Sequence, residues 1–190
     1  MAPPNHVWLR ICDGDRIAYE EIFNYYFNRY CNYGKKFTDD SNLIEDAAQE
    51  VMLTIWNKRE SISSINRVGA YFYTSFRHNL FDKIKQSQKL VGESHFLEDP
   101  QFSIDHFMIK NELDNEIRIQ LKIAIANLTD RQREAIFLRF YEELSYEEVS
   151  GIMNISIKAT YKIMARALAM LKENFNLPPK LLLLLLCRHL

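Results

Sequence analysis

The stretch that most constrains the fold is Leu144 to Phe175, where two short apolar-periodic segments meet at a turn that leaves room only for crossed helices. The first segment opens at Ser145, with Glu148 three places on. That is the spacing of a capping box, in which hydroxyl and carboxylate each satisfy a backbone amide of the first turn. Val149, Ile152 and Met153 then share one face of a helix of about two turns. Asn154 tolerates a left-handed backbone, and Ser156 behind it can cap a second helix. At about 100° per residue, Ile157, Thr160, Met164, Ala167, Leu168 and Leu171 form the inward stripe of that helix, and Lys158, Lys162, Ala165, Arg166 and Ala169 form the facing wedge. Cations at phosphate distance, with small side chains where the backbone nears base edges, are what a helix in the major groove needs. The segment is predicted to be a helix-turn-helix that touches DNA.

A net charge of −1 argues against a DNA binder only if charge is spread evenly, and here it is segregated. Asp39 to Glu50 holds five acids (Asp39, Asp40, Glu45, Asp46, Glu50) and no Lys or Arg. Arg67 to Lys89 holds five basic residues against Asp82 alone, and Lys158 to Lys172 holds four with no acid. The pattern implies two nucleic-acid surfaces and a separate acidic protein surface. With 47% hydrophobic residues, five Gly and five Pro in 190 residues, the chain reads as folded and mostly helical, in one or two small domains. Cys12, Cys31 and Cys187 are widely spaced, and the five His are scattered, so neither a disulfide framework nor a metal site is expected. The N-terminal MAPPNHVWLR lacks a basic region followed by an apolar run, and no apolar stretch of about 18 residues occurs, so a reduced cytoplasmic setting is expected. No phosphate-binding glycine loop or catalytic triad is evident, so neither catalysis, a cofactor nor a small-molecule substrate is expected.

Helical periodicity organises the rest. Asp15 to Phe37 carries Ile17, Ile22, Phe23, Tyr26, Phe27 and Tyr30 as expected core. Asp40 to Trp56 places Leu43, Ala47, Val51 and Ile55 inward and the acids with Gln49 outward. After a polar loop over 57–66, a third helix takes Val68 to about Lys85. Ser87 to Ser103 loses periodicity and gains Gly92, Pro100 and acids, the composition of a flexible acidic linker. Periodicity resumes at Asp105, with Leu113, Ile117, Leu121 and Ile125 in line, and Thr129 with Gln132 opens a further capped helix through Phe140. The expected fold is all-α in two small helical domains, an N-terminal bundle over 10–86 and a four-helix helix-turn-helix domain over 105–175. The linker spans 87–104, and a tail over 176–190 carries six consecutive leucines.

With both halves placed, the chain resembles the extracytoplasmic-function class of bacterial RNA polymerase sigma factors. LIEDAAQEVMLTIW, Leu43 to Trp56, is similar to the family helix that docks on the clamp helices of the polymerase's largest subunit, which implies a core-binding role for Glu45, Asp46, Gln49 and Glu50. AYFYTSFRHNLFDKIK, Ala70 to Lys85, resembles the helix that captures the minus-ten element as single strand, implying DNA contacts by Tyr73, Arg77, His78, Asn79 and Lys85. Phe72 and Phe76, four apart, are expected inside. LTDRQREAIFLRFYEELSYEEV with the helix-turn-helix behind it is similar to the minus-35 reading domain, implying that Lys158, Tyr161, Lys162 and Arg166 reach DNA. Asn154 stands where relatives often have Gly, Ala159 where they have Thr, and His78 where they usually have Asn. The resemblance implies core RNA polymerase, through its clamp helices and flap, and promoter DNA as partners, commonly with an anti-sigma factor. A transcriptional regulator with a helical effector domain is the other reading of the helix-turn-helix, and the acidic helix separates the two, being needless in a repressor.

Overall fold

The computed structural model describes residues 5–91 and 115–174, divided between two compact units, one ending at Gln101 and the other beginning at Phe102. Among the described residues every regular element is helical, as the periodicity predicts. The acidic linker from Gly92 onward, the helix start at Asp105 with Leu113, the side chain of Ile117 and the oligoleucine tail lie outside the described residues.

In the first unit, α1 (Asn5–Cys12), α2 (Arg16–Gly34), α3 (Ser41–Lys58) and α4 (Val68–Val91) follow one another. Aspartates set the starts of the middle two. The Asp15 carboxylate accepts from the amides of Ile17 and Ala18 at 2.8 and 3.2 Å, and that of Asp40 accepts from Leu43 at 3.1 Å, satisfying amides that a helix start leaves unpaired. Helix α1 was not expected from the sequence. Its eight residues are too few for a periodic signal, yet they bury Val7, Trp8 and Ile11, and Trp8 meets Phe72 edge-on at 5.8 Å. Gly14 makes the turn into α2 at φ +87°, where a side chain would be strained.

The core of this unit is an aromatic wall. Tyr26, Tyr30 and Tyr33 of α2 face Phe72, Tyr73 and Phe76 of α4, all six buried, and the Tyr30 and Phe76 rings stack at 4.4 Å and 4°. Helix α3 closes it with Ile44, Ala47, Ala48, Val51, Met52 and Ile55. Ile17 and Leu43 depart from the expected core, as do Phe23 and Phe27, which are only partly buried and stack on each other at 5.2 Å. Ile17, in the first turn of α2, is 73% exposed because Ala18 takes the inward position, and Leu43 is half-exposed because Ile44 occupies its place. Helix α4 runs on past Lys85, into the expected linker. Gln and Lys are good helix formers, so QSQK extends the helix without needing an apolar stripe.

The second unit holds α5 (Asn115–Ala126), α6 (Asp130–Ile136) continuing into a π-helical turn (Phe137–Tyr141), α7 (Tyr146–Ile152) and α8 (Ile157–Asn174). The predicted Thr129 box forms: Thr129 Oγ1 accepts from the Gln132 amide at 3.3 Å, and Gln132 Oε1 accepts from the Thr129 amide at 2.9 Å. Helix α8 packs against α5, α6 and α7, enclosing Leu121, Ile125, Ile136, Leu138, Val149, Ile152, Met164 and Leu171.

Gly34 shows how closely α2 and α3 approach. A Cβ there would lie 2.6 Å from Ile44 Cγ2 and 3.3 Å from the Phe76 ring. Alanine ordinarily gains a helix up to about 1 kcal/mol over glycine, but overpacking a closed core costs about 1–3 kcal/mol. Ile44 and Phe76 are both fully buried, so the steric cost wins. Gly34→Ala is expected to destabilise the first unit by about 1 kcal/mol or more, read as a lower urea midpoint; an unchanged or raised midpoint would show that Ile44 can yield.

Candidate nucleic-acid and protein interfaces

The helix-turn-helix forms by local rules. Ser145 Oγ accepts from the Glu148 amide at 3.2 Å, and the Glu148 carboxylate accepts from the Ser145 amide at 2.8 Å, so both partners of the predicted box are in place. Val149, Ile152 and Met153 are buried. Asn154 adopts φ 52°, and the Ile155 amide then reaches back to the Ser150 carbonyl at 3.0 Å, closing α7 with a left-handed residue. Ser156 Oγ accepts from the Ala159 amide at 3.2 Å. Thr160, fully buried, satisfies its hydroxyl by donating to the Ser156 carbonyl at 3.2 Å.

On α8 the inward stripe holds at Thr160, Met164, Ala167 and Leu171, all buried, with Leu168 only partly so. Ile157 departs from it at 43% exposed, because crossed helices touch over a limited length and the first turn of α8 projects past its partner. The outward face is as expected, with Lys158, Lys162, Ala165, Arg166 and Ala169 all exposed. From Lys158 to Arg166 is about 12 Å along the axis, which matches the major-groove width of about 12 Å. Tyr161, 51% exposed, borders the cations, with its ring stacked on Tyr146 at 4.4 Å and 17°. Arg139 Cζ lies 5.4 Å from the Tyr146 ring, and Arg139 Nη1 donates to the Leu144 carbonyl at 3.0 Å. Sequence reading missed Tyr146; its place one residue after the cap, with a second tyrosine on the next helix, was the available signal.

Helix α4 presents fewer of its expected contacts. His78 and Lys85 are exposed. Tyr73 is corrected: at 2% exposed its ring meets Tyr26, Tyr30 and Tyr33, so it is core and offers no face to a base. The cause is that α4 is covered by both α2 and α3, which widens its buried arc beyond the Phe72, Phe76, Leu80 line. Tyr71, half-exposed and edge-on to Phe72 at 6.4 Å, is the aromatic this helix leaves accessible. Arg77 is also drawn in, its guanidinium 4.1 Å over the Phe81 ring and largely buried.

On α3, Glu45, Asp46, Gln49 and Glu50 are all exposed. Leu53, 58% exposed, extends that face by one turn and adds an apolar point the sequence reading left out. Glu50 is engaged from behind: its carboxylate accepts from Asn79 Nδ2 at 3.0 Å and from Lys83 Nζ at 2.9 Å. Thus an expected polymerase contact and an expected DNA contact hold each other, with Lys83 as the third member. The Lys83 hydrogen bond, then that of Asn79, holds the Glu50 carboxyl below the ordinary glutamate range.

A carboxyl lowered by folding stabilises the folded state above its unfolded value and loses that contribution as pH falls through its folded value. Glu50 is mostly exposed, so the contribution is below about 1 kcal/mol. Glu50→Gln is therefore expected to lower the urea midpoint slightly at neutral pH, with the gap from wild type closing once acid protonates Glu50. A gap that persists in acid would mean that shape, not charge, links α3 to α4.

Among the described residues no group of three His, Cys, Asp or Glu could hold a metal ion, and no helix is long and apolar enough to cross a membrane. Comparison with known proteins agrees in both units. Residues 22–90 match the model of Sigma-70 region 2, and residues 118–171 match that of Sigma-70, region 4. The chain is 28% identical over 158 residues to the ECF RNA polymerase sigma factor SigM of Bacillus subtilis (strain 168), covering 83% of this chain and 94% of that one. It is 22% identical over 165 residues to the RNA polymerase sigma factor YlaC of the same organism, covering 85% and 94%. In fold it is similar to the sigma factor RpoE of Bartonella quintana, solved in complex with the anti-sigma factor NepR, at TM-score 0.59 and 19% identity over 83% of this chain and 96% of that one. It is likewise similar to CnrH, solved in complex with the cytosolic domain of CnrY, at TM-score 0.57 and 14% identity over 90% and 96%.

Proposed function

Because the chain belongs to the extracytoplasmic-function family of RNA polymerase sigma factors, we propose a division of labour in which each of its charged surfaces serves one step of initiation. As a sigma factor it binds core RNA polymerase, recognises promoter DNA and initiates transcription. The acidic face of α3, with Glu45, Asp46, Gln49, Glu50 and the exposed Leu53, docks on the clamp helices of the largest subunit, charge steering the encounter more than it supplies affinity. The second unit engages the flap and lays α8 in the major groove of the minus-35 element, with Lys158, Tyr161, Lys162 and Arg166 toward DNA. Helix α4 receives the minus-ten strand through Tyr71, His78 and Lys85, with Asn79 available once Glu50 lets it go; captured bases offset unstacking of a few kcal/mol per step. The chain supplies no chemistry of its own, and it works in the cytoplasm, where polymerase and chromosome meet. An anti-sigma factor is its regulator, a reading supported by the anti-sigma partner in the RpoE complex.

The observation that carries this assignment is the exposed basic face of α8, free of acids from Lys158 to Lys172, behind a doubly capped turn, in one chain with the acidic face of α3. A stand-alone regulator has no use for the second surface. Reconstituted transcription with purified core polymerase is the test, and promoter-specific initiation is expected. Lys162→Ala or Arg166→Ala is expected to weaken use of the upstream element by about 1–3 kcal/mol where the residue reads a base, or to reduce the salt slope by about one where it meets phosphate. Unchanged promoter binding in both variants would remove α8 from the interface.

A further inference from the structure

From Lys158 to Ala169, sequence and geometry together single out one exposed side chain on the α8 face that is neither cation nor small residue. Tyr161 lies in the N-terminal half of α8, where a recognition helix meets base edges. One turn further on, Ala165 is exposed and small, so nothing beyond Tyr161 holds the helix away from the groove floor. Half of the Tyr161 ring is open to solvent and the other side lies on Tyr146, near-parallel at 17° and 4.4 Å. Tyr146 is itself held: it stands at the first position of α7, directly after the Ser145 cap, and Arg139 lies against it at 5.4 Å while bonding the Leu144 carbonyl at 3.0 Å. An exposed tyrosine on a helix normally samples several rotamers. This one has its plane fixed by a neighbour that is anchored in turn, so little side-chain entropy is lost when it meets a ligand.

In the major groove, thymine is marked by its C5 methyl, the one apolar group on any base edge, and it is recognised by apolar contact. A fixed aromatic plate flanked by phosphate-directed cations suits that mark better than it suits a donor–acceptor pattern. Resting on the sigma-factor reading of α8 above, we propose that Tyr161 is a specificity-determining residue that selects a thymine in the upstream promoter element, and that Tyr146 is the positioning residue that fixes its ring. The cations give sequence-independent affinity, whereas the tyrosine pair gives base preference. The two contributions separate experimentally, because a methyl contact carries no counterion-release signature.

The test uses holoenzyme assembled from core polymerase and the full chain, bound to promoter duplexes in which each thymine of the upstream element is replaced in turn by uracil, which lacks only the methyl. Wild type is expected to lose about fourfold in binding at one position, the worth of one buried methyl group. Tyr161→Ala should bind thymine and uracil duplexes alike at that position, with its salt slope unchanged. Tyr146→Ala should blunt the preference, and Tyr146→Phe, which keeps the stack, should retain it. Thermal unfolding identifies any variant that fails to fold, and Tyr146→Phe serves as the readable one in that case. A purely structural Tyr146–Tyr161 stack would lower stability in Tyr161→Ala and leave the thymine preference intact, which overturns the proposal. Absence of any thymine preference in wild type overturns it as well. If Lys162→Ala and Arg166→Ala still weaken binding in the same assay, only the tyrosine assignment has failed; if they too are silent, the reading of α8 itself has.

Discussion

The left-handed backbone at Asn154 is the constraint on which the second unit depends. A helix leaving α7 with ordinary φ would continue it; at φ 52° the chain instead turns within a few residues and places Ser156 where it can cap α8. Every later residue of α8 then inherits its direction from that turn. Thr160, Met164, Ala167 and Leu171 meet the core, and the remaining arc, with its cations, meets solvent. Moving the turn by one residue would rotate α8 by about 100° and bury charge that has no partner. Asn is tolerated in this conformation because its short polar side chain costs less there than a branched or bulky one. Glu143, at φ 57°, does the same task after the π-helical turn with a residue less suited to it, held by the Glu142 amide bonding back to the Phe137 carbonyl at 3.2 Å.

Local rules explain why the second unit was so legible in the sequence. The boxes at Thr129 and Ser145, the turn at Asn154 and the cap at Ser156 each involve residues five or fewer apart, and each formed as the spacing indicates. The exposed cations of α8 followed, because a single stripe of apolar residues leaves a single polar arc. Ile157 was the exception, since where one crossed helix outruns another is a matter of tertiary geometry.

The first unit resisted the same reading for the same reason inverted. A helix packed on one side has a stripe that periodicity finds; α4 is packed by two helices, and the width of its buried arc depends on what they bring. Three tyrosines of α2 brought enough surface to take Tyr73 as well as Phe72 and Phe76, and the Phe81 ring took the guanidinium of Arg77. Nothing in AYFYTSFRHNLF alone distinguishes Tyr71 from Tyr73. The distinction lies 40 or more residues away in the chain. Helix α1 was missed on other grounds, as a single turn's worth of burial by Val7, Trp8 and Ile11 has no period to detect.

The Glu50, Asn79 and Lys83 cluster is the least legible feature and the one that ties the two surfaces of the first unit together. Its members are 29 and 33 residues apart in sequence, and each taken alone reads as a solvated charge or amide. Together they make the acidic face of α3 and the polar edge of α4 a single electrostatic unit, since both carboxylate oxygens of Glu50 are occupied by donors from α4. A partner that takes this carboxylate over entirely releases Asn79 and Lys83, two hydrogen-bond donors on the helix proposed to meet single-stranded DNA. Because the pairs are exposed, that exchange costs less than about 1 kcal/mol per pair, which is small against the contacts a docked partner forms. A buried ion pair in the same place would hold the two helices more tightly but would be far too costly to open, so the exposure of Glu50 keeps the exchange within reach of ordinary binding energies.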